Sequence, residues 1–103
     1  MDPVALIVAA LAAGTALGLH DSAPTTMLDA YALLRTLVRK RLAGRPDGAM
    51  VLARHAEAPH TWQGPLTAEL TAAGAAMDED LVAAAATVLR LTDSGINDQP
   101  AAG

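Results

Sequence analysis

Three histidines, His20, His55 and His60, are the side chains in this 103-residue chain suited to acid–base or metal chemistry near neutral pH. His55, Glu57 and His60 lie close together and straddle an expected helix end. A metal site needs such ligands on one helix face or in a fixed loop geometry. This spacing matches no recognised ligand pattern, so the three read as a polar surface loop. Asp78-Glu79-Asp80 is a carboxylate cluster just ahead of an apolar run. Acids there suit a helix start, where they meet unpaired amides and the positive end of the dipole. The absence of cysteine excludes a thiol nucleophile, a cysteine-based zinc site and a disulfide scaffold. No Gly-x-Ser-x-Gly elbow, phosphate-binding glycine loop or dinucleotide fingerprint occurs. The expectation is a protein that is not an enzyme and uses no metal or cofactor.

Charge is sparse and uneven. Seven basic residues against eleven acidic ones give a net charge of −4 and a pI near 5.1, which argues against a nucleic-acid partner. Arg35, Arg39, Lys40, Arg41 and Arg45 are five of those seven. They gather at the end of the second periodic segment. One reading is solvation and complementation of a helix C-terminus, worth a few tenths of a kcal/mol each. The other is a patch for anionic lipid headgroups, worth up to about 1 kcal/mol per residue. Trp62, beside Gly64 and Pro65, reads as a core plug or hinge packer.

The elements that must position these residues are helical. Of the residues, 52% are hydrophobic and 17% charged, so the chain is not disordered. There are 25 alanines and 15 leucines, no Phe, one Trp and one Tyr. Alanine and leucine lead the helix scale, and the β-branched and aromatic residues of sheets are scarce. The fold class is therefore all-α, a compact bundle of four to five helices. Residues 1–92 form its one domain, and 93–103 a flexible linker. A chain of this length buries roughly 65% of its unfolded surface and has no room for a second core.

Asp2-Pro3 reads as an N-cap followed by proline at the first helical position. A break is expected near His20–Thr26. A second helix then runs to about Ala43 on the stripe Met27, Leu28, Tyr31, Leu34, Val38 and Leu42, stopped by Gly44. Arg45-Pro46-Asp47-Gly48 is a turn, followed by a short helix to about Ala56 carrying Met50, Val51 and Leu52. Pro65 is assigned the first position of a helix through about Ala73, with Gly74 as its stop. The last helix starts at Asp78–Asp80 and carries Leu81, Val82, Ala85, Val88, Leu89 and Leu91.

The first helix is the informative one. From Pro3 to Leu19 there are 17 residues without a charge. Val4, Ile7, Val8 and Leu11 make a bulky face, Ala5, Ala9, Ala12 and Ala16 a smooth one, and Leu6 and Leu17 a third side. A helix apolar all round is either central in a bundle or lodged in a bilayer. At about 1.5 Å per residue it spans roughly 26 Å, the lower edge for crossing. Its seven Leu, Ile and Val residues favour insertion by about 3 kcal/mol in total, partly offset by Pro3, Gly14, Thr15 and Gly18. That balance points to conditional insertion. Ala10, Gly14 and Gly18 form a small-residue ridge of the kind that brings helices together in lipid or in a tight soluble core. Met1-Asp2 lacks the positive start of a secretory signal, so synthesis is expected to leave the protein in the cytoplasm.

The opening Met1–Gly14, together with Asp29-Ala30-Tyr31, Leu37-Val38-Arg39-Lys40-Arg41-Leu42 and Thr61-Trp62-Gln63-Gly64-Pro65-Leu66, resembles the Bell domains. These are bacterial counterparts of fungal HeLo and HELL domains, similar in turn to the four-helix bundle of the necroptosis executioner MLKL. The resemblance covers roughly residues 1–92. It implies a cell-death effector whose helical domains are clustered by a C-terminal amyloid motif, templated by a receptor of the NLR type. The N-terminal helix then attacks the membrane. The membrane-active role falls on Val4, Leu6, Ile7, Val8, Leu11, Gly14, Leu17 and Gly18. The implied partners are membrane lipids, anionic ones included, other copies of the domain, and the receptor. The implied location is cytoplasmic at rest and the plasma membrane when active. No amyloid-type motif occurs in this sequence, and the stretch ending Gln99-Pro100-Ala101-Ala102-Gly103 reads as a linker leading to one.

Overall fold

A computed structural model describes residues 2–18 and 25–97, with side chains described for 2–15 and 25–92. Five helices follow one another: α1 (Pro3–Gly18), α2 (Thr25–Leu42), α3 (Gly48–Glu57), α4 (Pro59–Ala72) and α5 (Glu79–Asn97). A 3-10 turn, Ala75–Met77, precedes α5. The fold is the expected all-α bundle, with no strand among the described residues. Of the break expected near His20–Thr26, residues 20–24 lie outside the described residues, and Thr25 and Thr26 already belong to α2.

Local signals set most boundaries. The Ala5 amide donates to Asp2 Oδ2 at 3.1 Å, the capping bond that Asp2-Pro3 foretold. The Leu81 amide donates to Asp78 Oδ1 at 3.1 Å, so Asp78 caps α5. Gly74 has φ 78, the left-handed conformation that ends α4 and that glycine adopts without a Cβ penalty. Gly44, expected to stop α2 the same way, has no positive φ. There the chain leaves through a turn in which the Arg45 amide donates to the Leu42 carbonyl at 3.0 Å.

α4 departs from expectation. Pro59, not Pro65, sits at the helix start, and Pro65 lies inside the helix. An interior proline forfeits the bond to the carbonyl four residues back. That carbonyl belongs to Thr61, and Pro65, Gly64 and Thr61 are all exposed, so the lost bond falls on the solvent side. Leu66 and Leu70 on the opposite face are fully buried, and their burial outweighs the defect. α5 also continues to Asn97, past the Thr92 boundary expected from composition, because extending a helix costs far less than starting one.

The core is aliphatic. Ile7, Leu11, Leu34, Leu42, Leu66, Leu70, Leu81, Val38 and Val88 are fully buried. On α2 the buried row is Met27, Leu34, Val38 and Leu42. Leu28, one residue and about 100° away from Met27, is 40% exposed. α1 packs against every other element, α5 most extensively. Ala10 in α1 and Ala84 and Ala85 in α5 are buried, small side chains that permit close backbone approach. Two ion pairs tie the periphery. Arg41 Nη2 meets Asp78 Oδ2 at 2.7 Å, joining the end of α2 to the start of α5. Arg45 Nε meets Glu69 Oε1 at 2.7 Å, holding the α2–α3 turn to α4.

Candidate functional site

The residues assigned to the membrane-active helix form the centre of the bundle. Val4, Ile7, Val8, Leu11 and Gly14 are buried, and Leu6 is half-buried against the core. Leu17 and Gly18 belong to α1, and their side-chain environment lies outside the described residues. Of the three sides read from the sequence, the bulky one faces inward and the alanine one faces a groove. Ala5 is exposed, and Ala9 and Ala12 are half-buried.

The small-residue ridge has a definite task within the fold. Ala10 is fully buried. A β-carbon on Gly14 would overlap the ring of Tyr31, so glycine is what lets α2 lay its one tyrosine across α1. The Tyr31 hydroxyl shares a 2.7 Å hydrogen bond with Thr15 Oγ1 and accepts one from Arg35 Nη1 at 3.2 Å. This polar clasp closes the α1–α2 contact.

A cavity of about 370 Å³ runs beside α1. One wall is Ala5, Val8, Ala9 and Ala12 of α1; the other is His55 of α3 with Pro59, His60, Gln63 and Thr67 of α4. The expectation of a polar surface loop at His55 is corrected here. His55 lies within α3, is 1% exposed, and its Nε2 has no hydrogen-bond partner among the described residues. Burial lowers its pKa from 6.5, and the Arg35 guanidinium lowers it further. Glu57, by contrast, is exposed and faces Arg54 at 3.6 Å. His60 is exposed on the rim. Among the described residues no three His, Asp or Glu side chains converge on a point that could hold a metal ion. The signal for a buried His55 was its place in the Val51, Leu52, His55 row of α3.

Comparison with known proteins returns no match. No family model, curated protein or solved structure is similar to this chain.

The five basic residues do not form one open patch. Arg35 bonds to Tyr31, Arg41 to Asp78 and Arg45 to Glu69. Arg39 and Lys40 are exposed and make no ion pair among the described residues. No helix among the described residues is long and apolar enough to cross a membrane.

Proposed function

We propose that this chain is a membrane-targeting effector domain of programmed cell death, inactive while α1 sits in the core and activated when copies are clustered. The observation that carries the reading is α1 itself, a helix of 16 residues without a charge at the centre of the bundle. Burial of Val4, Ile7, Val8 and Leu11 is worth about 1.5–3 kcal/mol each. Withdrawing α1 into water therefore costs roughly 6–12 kcal/mol, comparable to the 5–15 kcal/mol stability of a whole domain. An isolated molecule keeps α1 inside. A lipid surface returns most of that burial, and clustering raises the local concentration of helices that can associate through Ala10, Gly14 and Gly18. A helix of 16 residues spans about 24 Å, so the reading is oligomeric insertion and bilayer disruption, not a stable single span. Arg39 and Lys40 are the headgroup contacts open at rest. Arg35, Arg41 and Arg45 join them only if their internal bonds are given up. The amyloid motif and NLR-type receptor enter as the source of clustering through the Bell-domain resemblance. The resting molecule is assigned to the cytoplasm and the active one to the plasma membrane.

The test is dye release from anionic and neutral liposomes by the domain fused to an oligomerisation tag. Ile7→Asp and Leu11→Asp bury a charge in the core and unfold the protein, so they do not isolate membrane action. Ala5→Asp and Ala9→Asp do, because Ala5 is exposed and Ala9 borders the cavity. Each leaves the bundle room for the carboxylate, whereas a charge at the centre of an inserted helix costs about 2.5–3.5 kcal/mol. Release by the clustered parent, lost in a folded Ala9→Asp variant, supports the reading. No release from either composition, with the clustered protein folded, makes the domain a non-lytic adaptor.

A further inference from the structure

We propose that His55 is an acid-sensitive latch on the first helix: protonation of its imidazole loosens the α1–α3 contact and frees α1 from the core. As a trigger of membrane action the latch rests on the function proposed above. As a conformational device it stands apart from it.

The geometry is one-sided. His55 is 1% exposed, and Nε2 has no partner among the described residues. A neutral imidazole can leave one nitrogen as a bare acceptor, which is the cheaper defect. The protonated ring carries two N–H donors and a charge in the same space, and a buried, unpaired charge is the costlier state by far. No carboxylate among the described residues offsets it. α1 carries no ionisable side chain from Pro3 to Gly18. α2 brings Arg35, of like sign, and α4 brings His60 at the cavity rim, with Gln63 and Thr67 neutral beside it. On α3 itself, Arg54 and Glu57 are exposed and turned to each other. Across the cavity from His55 stand the alanines of α1. They hold the wall by packing alone, so this is where water enters when the cation demands it.

The sign follows from linkage. Burial first, and Arg35 second, place the folded pKa below 6.5. At a given pH in that range the unfolded or opened state binds more protons, so stability rises with pH. Above about pH 6.5 the latch is fully closed; stability is lost as pH falls from there through the lower folded value, and then levels off.

The experiment is amide hydrogen exchange of α1 at about pH 7.5 and about pH 5, corrected for intrinsic exchange, on the parent, His55→Leu, His60→Gln and Arg35→Gln. The same samples, without a clustering tag, are added to anionic liposomes for dye release. In the parent, acid is expected to lower α1 protection, the direction that a depressed His55 pKa dictates. His55→Leu abolishes the response, His60→Gln keeps it, and Arg35→Gln, by removing the like charge, weakens it. Should His55→Leu fail to fold, His55→Gln, which is neutral at both pH values and keeps a polar side chain, takes its place. Protection in the parent that does not change with pH, or an equal acid loss in His55→Leu, overturns the latch. Acid opening with no dye release, when the tag-clustered protein also releases none, leaves the latch standing and sinks the membrane function. Release by tag-clustered protein at about pH 7.5, with α1 insensitive to acid, does the reverse.

Discussion

Single side chains here hold helices at distances that alanine-rich surfaces make available. Gly14 is the clearest case, because its missing β-carbon is the space the Tyr31 ring occupies. Gly14→Ala is expected to destabilise the domain by about 1–3 kcal/mol, the usual penalty for overpacking, read as a lower urea midpoint. In a Tyr31→Ala background the same substitution should cost almost nothing. A penalty that persists there would show that Tyr31 is not what Gly14 accommodates. Asp78 works twice, capping α5 and pairing with Arg41. Asp78→Asn keeps a capping oxygen and loses the pair, so it should cost well under 1 kcal/mol. Asp78→Ala loses both, for about 1–2 kcal/mol by thermal denaturation. The bond from Arg41, then that from the Leu81 amide, holds the Asp78 pKa below 3.8. Its contribution is complete above that value and lost as pH falls through the lower folded one, an acid window separate from that of His55.

Helix α4 shows how an element survives a local defect. Pro59 starts it, and Pro65 interrupts its bonding on the exposed side, while Leu66 and Leu70 anchor the other face. Pro65→Ala restores one backbone bond without disturbing a core contact. It is expected to stabilise the domain by about 1–3 kcal/mol, read as a higher urea midpoint with unchanged slope. A loss of stability would mean that the proline ring packs usefully where the structure leaves it exposed. In α1 the corresponding surface position is Ala5. Ala5→Asp places a carboxylate in the first turn and should raise stability by about 0.3–1 kcal/mol, screened by salt. A drop in melting temperature at low salt would contradict the exposed placement of Ala5.

At the scale of the whole molecule, α1 is the element on which the others depend. It packs against all of them, most extensively against α5. Leu11→Ala should remove about 2–5 kcal/mol, a large share of the 5–15 kcal/mol that a domain of this size commands. That loss, measured by chemical denaturation, should be cooperative across the chain rather than confined to α1. A local loss would show that α1 can leave while the remaining helices stay folded. The same dependence makes α1 hard to release, so a trigger of the proposed function must either supply another apolar environment or weaken the wall that faces it. His55 stands on that wall.

Helix content, the uncharged first helix, the caps at Asp2 and Asp78 and the stop at Gly74 were legible in the sequence, because each rests on contacts within a few residues along the chain. Composition likewise foretold a core built from Leu, Val, Ile and Ala. The partners of side chains far apart in sequence were not legible. Nothing near Gly14 announces Tyr31, and nothing near Arg41 or Arg45 names Asp78 or Glu69, so a run of basic residues looked more open than it is. Pro65 was misplaced because the signal for a helix start is the same at Pro59 and Pro65, and only the buried Leu66 and Leu70 face decides that both belong to one helix. His55 was misplaced for the converse reason. A histidine beside Arg54 and two residues from Glu57 reads as surface, and it becomes core only when α1 and α4 close over it. Local propensity therefore fixed which segments are helices; burial against distant segments decided which side chains are hidden.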